Sequence, residues 1–158
     1  MTMSLLAIIL AIIGFVAIFI PRMPAVVISY VALVCAHFAG TTSVDSKSLI
    51  FWGLATGIII ILRALQPEAL IKTTKGHGYV ALATIAGTLL GYLASHTSAA
   101  IIIGGATGAF MGAVAYMQTP TGPHLSIAST PFLQYLCAKG LPCIVATTMA
   151  LISVVSVI

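Results

Sequence analysis

Residues 76–138 read GHGYVALATIAGTLLGYLASHTSAAIIIGGATGAFMGAVAYMQTPTGPHLSIASTPFLQYLCA, a run of 63 residues without a single Asp, Glu, Lys or Arg. In the whole chain of 158 residues only 5% are charged, against about a quarter in a typical soluble domain. So few charged side chains cannot cover the surface of a protein in water. The composition therefore predicts one integral membrane domain over residues 1–158.

The apolar runs of this chain are long and continuous, which is typical of helices rather than strands. Residues 5–20 and 57–62 are uninterrupted by charged or amide side chains, whereas a transmembrane strand alternates apolar and polar residues. A helix also pairs its own backbone groups, as lipid requires. We therefore predict an all-α, polytopic transmembrane helix bundle. Its six spans are expected near residues 4–20, 24–40, 49–66, 79–95, 98–117 and 133–157.

Prolines set the boundaries of the first, second and last spans. Pro21 opposes continuation of the first helix and Pro24 suits the first turn of the second, so a tight helical hairpin is expected with Arg22 at its tip. The last span is interrupted at residues 139–142, KGLP. The crossing starts either near residue 133 or at Pro142, in the second case after a short, partly interfacial helix.

The basic residues predict how the bundle is oriented. With six spans, one side of the membrane holds Arg22, Arg63, Lys72, Lys75 and Lys139, and the other side holds Lys47. The side that is rich in Lys and Arg is normally cytoplasmic. Both termini are therefore predicted on the non-cytoplasmic side.

Glycines recur at every fourth residue in three consecutive predicted spans. Such a repeat places a stripe without side chains along one helix face, where another backbone can approach closely. The residues are Gly53 and Gly57 in the third span, Gly87 and Gly91 in the fourth, and Gly104, Gly108 and Gly112 in the fifth, where the repeat forms a glycine zipper. They are predicted to pack helices, either within the chain or against a second copy or another membrane protein.

The order of these features resembles a known family. An apolar hairpin that turns on residues 20–24, IPRMP, is followed by a third span, a basic connection, a glycine-rich hairpin and a final span with Lys139. This order resembles the uncharacterised bacterial membrane family catalogued as domain of unknown function four hundred and fifty-six, which usually has glycine where Ala25 stands here. The resemblance covers nearly the whole chain and implies a small bundle in the bacterial inner (cytoplasmic) membrane. It implies no activity.

Two basic motifs are the strongest candidates for contact with a ligand. Residues 22–27 and 139–145 each join a basic residue to a proline at the start of a span on the same predicted side. They could form two arms of one basic vestibule, or be traces of an internal repeat. Arg22, Arg63 and Lys139 are thus possible contacts for a substrate or a lipid headgroup, although Arg63 and Lys139 could also serve as anchors at the membrane surface.

Other chemistry is sparse. The two carboxylates, Asp45 and Glu68, fall in connections on opposite sides of the membrane, so no acid–base pair is expected. His77 falls in the connection before the fourth span, and the histidines and cysteines show no spacing typical of a metal site. No cofactor, no metal and no catalysis are expected, and the six scattered basic residues do not indicate nucleic-acid binding.

Glycine-lined helices with so little other chemistry are typical of a protein that works by helix contact. We predict a non-catalytic packing or accessory subunit of a membrane assembly, or a homo-oligomer, with the lipid bilayer and another membrane chain as its partners. The alternative is a small transporter or channel for a neutral, anionic or amphiphilic substrate.

Overall fold

Helices form every regular element in the part of the chain that the structure describes. The computed structural model describes residues 2–20, 23–40, 44–66, 75–122, 126–127 and 129–158. The helices are α1 (Thr2–Ala17), α2 (Ala25–Phe38), α3 (Ser46–Leu65), α4 (His77–Ala94), α5 (Ser98–Met117), α6 (Thr130–Tyr135) and α7 (Leu141–Val157), with a π-helical segment, Leu136–Gly140, between α6 and α7. The predicted all-α fold class is confirmed.

Four helical stretches are long and apolar enough to cross a membrane: α3, α4, α5 and the continuous stretch Thr130–Val157. The first two helices are apolar but shorter, with 16 residues in α1 and 14 in α2, or about 24 and 21 Å at 1.5 Å per residue. Turns with i→i−3 hydrogen bonds continue α1 as far as Ile20. The described helices are therefore compatible with a membrane protein that has four helices of spanning length and two shorter ones, where the sequence predicts six full crossings.

Polar side chains begin three of the helices. Asp45 precedes α3 and accepts a hydrogen bond of 2.8 Å from the Ser46 backbone N–H. Thr97 precedes α5 and accepts from the Ala100 N–H, and Ser129 accepts from an N–H in the first turn of α6. Because the first N–H groups of a helix have no partner within the helix, these side chains fix where each helix starts.

The central helix of the bundle is α7. It packs against α1, α2 and α3 on one side and against α4 and α5 on the other. α1 pairs with α2 and α4 pairs with α5, whereas α1 and α4 hardly approach each other. The bundle thus has two halves that meet on α7. We call the line along which α1 faces α4 across α7 the α1–α4 seam.

Two apolar clusters fill the bundle. The first contains Leu33 of α2, Trp52 of α3 and Met149 of α7, and it reaches Ala81 of α4. Val80 of α4 and Phe132 of α6 belong to the second. The halves therefore share apolar packing at Ala81, and open space remains elsewhere along the seam.

Candidate functional site

An open cleft lies at one end of the seam, where α1 ends, α2 and α4 begin and α3 ends. Its polar lining comes from Arg63, His77 and Lys139, and we call it the basic cleft. Two of the three predicted contact residues, Arg63 and Lys139, are thus brought together. Arg22 lies outside the described residues. The structure also places parts of both basic motifs in this lining, Met23 from the first and Pro142 from the second.

Lys139 enters the cleft from the π-helical segment. The Leu141 N–H donates to the Leu136 carbonyl, an i→i−5 bond, and Pro142 has no N–H to offer the Ala138 carbonyl. The irregular backbone expected at residues 139–142 is therefore a π-helical segment, Leu136–Gly140, within a helical stretch that continues from Thr130 to Val157.

Burial sets Lys139 apart from an ordinary anchoring lysine. A lysine that anchors a helix at the membrane surface keeps its ammonium group in water. The Lys139 side chain is only 4% exposed and lines the cleft. Gly140 allows this placement, because a Cβ there would already lie 3.1 Å from a Leu136 methyl and 3.5 Å from Ala109 of α5.

His77 is a cleft residue that the sequence reasoning missed. The sequence predicts it in a connection, but it is the first residue of α4 and is 9% exposed. The preceding Gly76 has a left-handed backbone (φ +77°) and packs against Tyr116 and Tyr135, where a Cβ would overlap the Tyr116 ring and the Tyr135 hydroxyl. This turn directs His77 into the bundle. The glycines on either side of His77 are the signal in the sequence that could have found it.

The two ring nitrogens of His77 have different surroundings. Nε2 is hydrogen-bonded to the Ile18 carbonyl, just past the end of α1. A carbonyl only accepts hydrogen bonds, so Nε2 carries the hydrogen. Nδ1 is buried and has no hydrogen-bond partner among the residues described. His77 therefore ties α4 to α1 at the end of the seam, and its Nδ1 can only accept a hydrogen bond.

Two more spaces lie along α7, away from the basic cleft. The first, which we call the apolar groove, lies on the seam and is lined by Ala11 and Phe15 of α1, Leu89 of α4 and Leu151 of α7, among others. The second, which we call the far cavity, lies between α4, α5 and α7 and includes His96. Leu151 lines both, so the spaces are contiguous along α7.

The predicted packing glycines of α4 and α5 lie on a different face, away from the cleft. A Cβ at Gly87 would overlap the Gly104 carbonyl and lie 3.0 Å from the Gly108 Cα. At Gly91 it would overlap the Ala100 carbonyl. Gly104, Gly108 and Gly112 meet the α4 backbone in the same way. These five glycines therefore pack α4 against α5 within one chain.

The two glycines of α3 differ from those five. A Cβ at Gly53 would lie 2.8 Å from the Tyr30 hydroxyl of α2. The space beside Gly53 is therefore filled by a side chain of α2 and not by the backbone of another helix. Around Gly57 there is nothing within 4 Å of such a Cβ. The packing role predicted for Gly57 therefore finds no contact within the described part of the chain.

The cleft offers cationic and hydrogen-bond donor groups. The carboxylate Asp45 lies at the opposite end of α3, about 27 Å from Arg63 at 1.5 Å per residue, and Glu68 falls outside the described residues. Within the described ranges, no three His, Cys, Asp or Glu side chains converge as a metal site would require. Arg and Lys side chains that converge in a partly buried space suit a phosphate or carboxylate group.

Comparisons of this chain with protein families, curated proteins and solved structures found no match. The resemblance to the uncharacterised bacterial family stays a prediction. The function must therefore be inferred from the geometry of the cleft and of the seam.

Proposed function

We propose that this chain is a small, non-catalytic membrane transporter that takes a negatively charged substrate into the basic cleft. The observation that carries the proposal is the convergence of Arg63, His77 and a Lys139 side chain that is only 4% exposed. Ionisable side chains inside a membrane bundle are costly and mark substrate or ion pathways. π-Helical turns such as the one that carries Lys139 are frequent at functional sites.

The architecture supports transport in addition to binding. The basic cleft, the apolar groove and the far cavity follow one another along α7, from one end of the bundle to the other. The halves on either side are joined through α7, and at the cleft end also through the His77–Ile18 hydrogen bond. Movement of one half relative to the other is the usual means of alternating access. The seam is the natural place for such a movement.

The orientation belongs to the same proposal. Arg63, Lys75 and Lys139 lie at the cleft end of the bundle, and Lys47 lies at the start of α3, at the opposite end. The positive-inside rule then puts the cleft on the cytoplasmic side of a bacterial inner membrane and both termini outside. A substrate would enter or leave the cleft on that side.

A second candidate is the packing or accessory subunit, or the homo-oligomer, expected from the sequence. The observation that favours it is the outer face of α3, where Leu54, Ile58, Ile61 and Leu65 are exposed around the open Gly57. Such a face contacts either lipid or another helix. Native mass spectrometry from mild detergent separates these two cases: a higher-order mass or a co-purifying chain supports the second candidate, and a monomer contradicts it.

Binding at the cleft is tested by ligand-induced stabilisation in an uncharged detergent. The probes are glycerol phosphate, which is anionic and has no acyl chain, and glycerol as its uncharged counterpart. A ligand that binds only the folded state raises the unfolding temperature. We expect this from glycerol phosphate and not from glycerol.

Lys139→Gln is the informative variant, and Lys47→Gln at the other end of the bundle is its matched control. Removing one hydrogen bond to a charged group corresponds to a roughly tenfold weaker affinity. Lys139→Gln should therefore lose most of the stabilisation, and Lys47→Gln should keep it. Equal stabilisation of both variants would rule out the basic cleft as the binding site.

A further inference from the structure

The apolar groove lies directly beside the basic cleft. On α7, Cys143 lines the cleft, and Thr147, one turn further along, lines the groove. On α1, Ala17 lines the cleft and Phe15 the groove. The same helices thus present a cationic space and then an apolar space to a single ligand.

The groove is apolar even though threonines line it. The Thr147 hydroxyl donates to the Cys143 carbonyl at 2.6 Å, and the Thr88 hydroxyl donates to the Ile85 carbonyl at 2.8 Å. Each hydroxyl is therefore satisfied by its own helix, and the groove needs no polar ligand. Phe15, Leu89 and Leu151 supply the rest of an apolar lining.

The length of the two spaces matches one leaflet of a bilayer. From Pro142 in the cleft to Val154 in the groove is 12 residues of α7, or about 18 Å at 1.5 Å per residue. Half of the hydrocarbon core measures about 15 Å. A lipid whose headgroup lies in the cleft can therefore lay one acyl chain along the groove.

We propose that the ligand is an anionic phospholipid, with its phosphate group in the basic cleft and one acyl chain in the apolar groove. The proposal rests on the proposed function for its headgroup site and adds the location of the chain. Charge complementarity selects the phosphate group, since Arg63 and Lys139 both line the cleft. The apolar lining and the leaflet-length seam select the chain.

The direct test is photo-crosslinking in vesicles of phosphatidylcholine. The probe is a phosphatidic acid that carries a diazirine near the end of one acyl chain, and the matched probe is the phosphatidylcholine with the same chain. Peptide mapping by mass spectrometry should locate the phosphatidic acid adducts on groove segments of α1, α4 and α7. Adducts spread evenly over outward-facing helices, and alike for the two probes, would overturn the proposal.

Two leucines of α4 provide variant and control. Leu89 lines the groove and is 45% exposed, so tryptophan there can fill the groove without disturbing a buried core. Leu82 is 61% exposed on the same helix and does not line the groove. Leu89→Trp should remove the groove adducts and Leu82→Trp should keep them. Ile12→Trp, from the α1 side of the groove, repeats the test on a second helix.

The outcomes separate this proposal from the proposed function. If glycerol phosphate binds through Lys139 but no adducts form in the groove, the acyl-chain site is wrong and the anion site stands. If adducts form in the groove equally with both lipids and do not depend on Lys139, the choice of an anionic lipid is wrong. The proposed function fails only if glycerol phosphate also stabilises the original chain and Lys139→Gln equally.

Discussion

The α4–α5 interface and the α1–α4 seam are built in opposite ways. Across the α4–α5 interface, Gly87 and Gly104 bring backbone against backbone, and a single methyl group would overlap a carbonyl. Along the seam, side chains of α1, α4 and α7 surround a cleft and a groove. One helix, α4, presents both surfaces: Gly87 faces α5, and the neighbouring Thr88 and Leu89 face the groove.

This contrast shows where the bundle is closed and where it leaves open space. Lipid gives no hydrophobic advantage to helix contact, so close backbone packing is what holds helices together there. The glycine face supplies that contact within the chain and leaves no space for a substrate along the glycine stripe. The seam has no such glycine face. The two halves of the bundle that meet at the seam are joined through α7 and the His77–Ile18 hydrogen bond.

The largest effect is expected from breaking the closed interface. Gly108→Leu places a side chain against the Ala83 carbonyl of α4, and rigid backbone cannot move aside. We expect a loss of at least about 3 kcal/mol in the free energy of unfolding, with little folded protein recovered. Size-exclusion chromatography and thermal unfolding in detergent measure this loss.

Gly57→Leu is the matched control for that experiment, because nothing lies within 4 Å of a Cβ at Gly57. The folded monomer should be as stable as the original chain. If Gly108→Leu folds normally, the α4–α5 contact does not hold the bundle together, and the contrast with the seam fails.

A smaller effect is expected from loosening the seam. His77→Ala removes the hydrogen bond to the Ile18 carbonyl, worth about 1 kcal/mol, which corresponds to a roughly fivefold change in how often the cleft end opens. Cys143 is buried beside the cleft and reports this opening. In a background of Cys35→Ala and Cys137→Ser, a water-soluble maleimide should label Cys143 faster in His77→Ala.

His96→Ala, beyond the other end of α4, is the control and should leave the labelling rate unchanged. Faster labelling in both variants would mean general destabilisation rather than opening at the cleft. An unchanged rate in His77→Ala would show that His77 does not hold the seam.

Some of this contrast could be predicted from the sequence. The spacing of Gly104, Gly108 and Gly112 identified a packing face, because residues four apart share one side of a helix. It did not identify which helix covers that face, because spacing carries no information about the partner. Pro142 predicted an interruption of the last span, but not that the interruption is a π turn that buries Lys139.

The position of His77 shows why the rest of the site could not be predicted from the sequence. Its burial depends on Gly76, whose left-handed turn packs against Tyr116 of α5 and Tyr135 of α6. Those rings lie about 40 and 60 residues further along the chain, and sequence periodicity describes only local structure. Arg63 and Lys139 were predicted on the same side of the membrane, but their meeting in one cleft is a consequence of how α3 and the π turn pack beside α7.

Transport by the purified chain tests the central claim most directly. Vesicles of phosphatidylcholine would carry the original chain, Lys139→Gln or Lys47→Gln, together with a trace of phosphatidic acid or phosphatidylcholine that bears a fluorescent nitrobenzoxadiazole group. Dithionite added outside destroys only the outer-leaflet fluorescence, so the later loss of the protected fraction measures movement across the bilayer. We predict rapid loss for phosphatidic acid with the original chain and with Lys47→Gln, and slow loss with Lys139→Gln. Two results would contradict transport through the basic cleft. One is that the protected fluorescence is lost no faster than in protein-free vesicles. The other is that it is lost at the same rate for both lipids and all three chains.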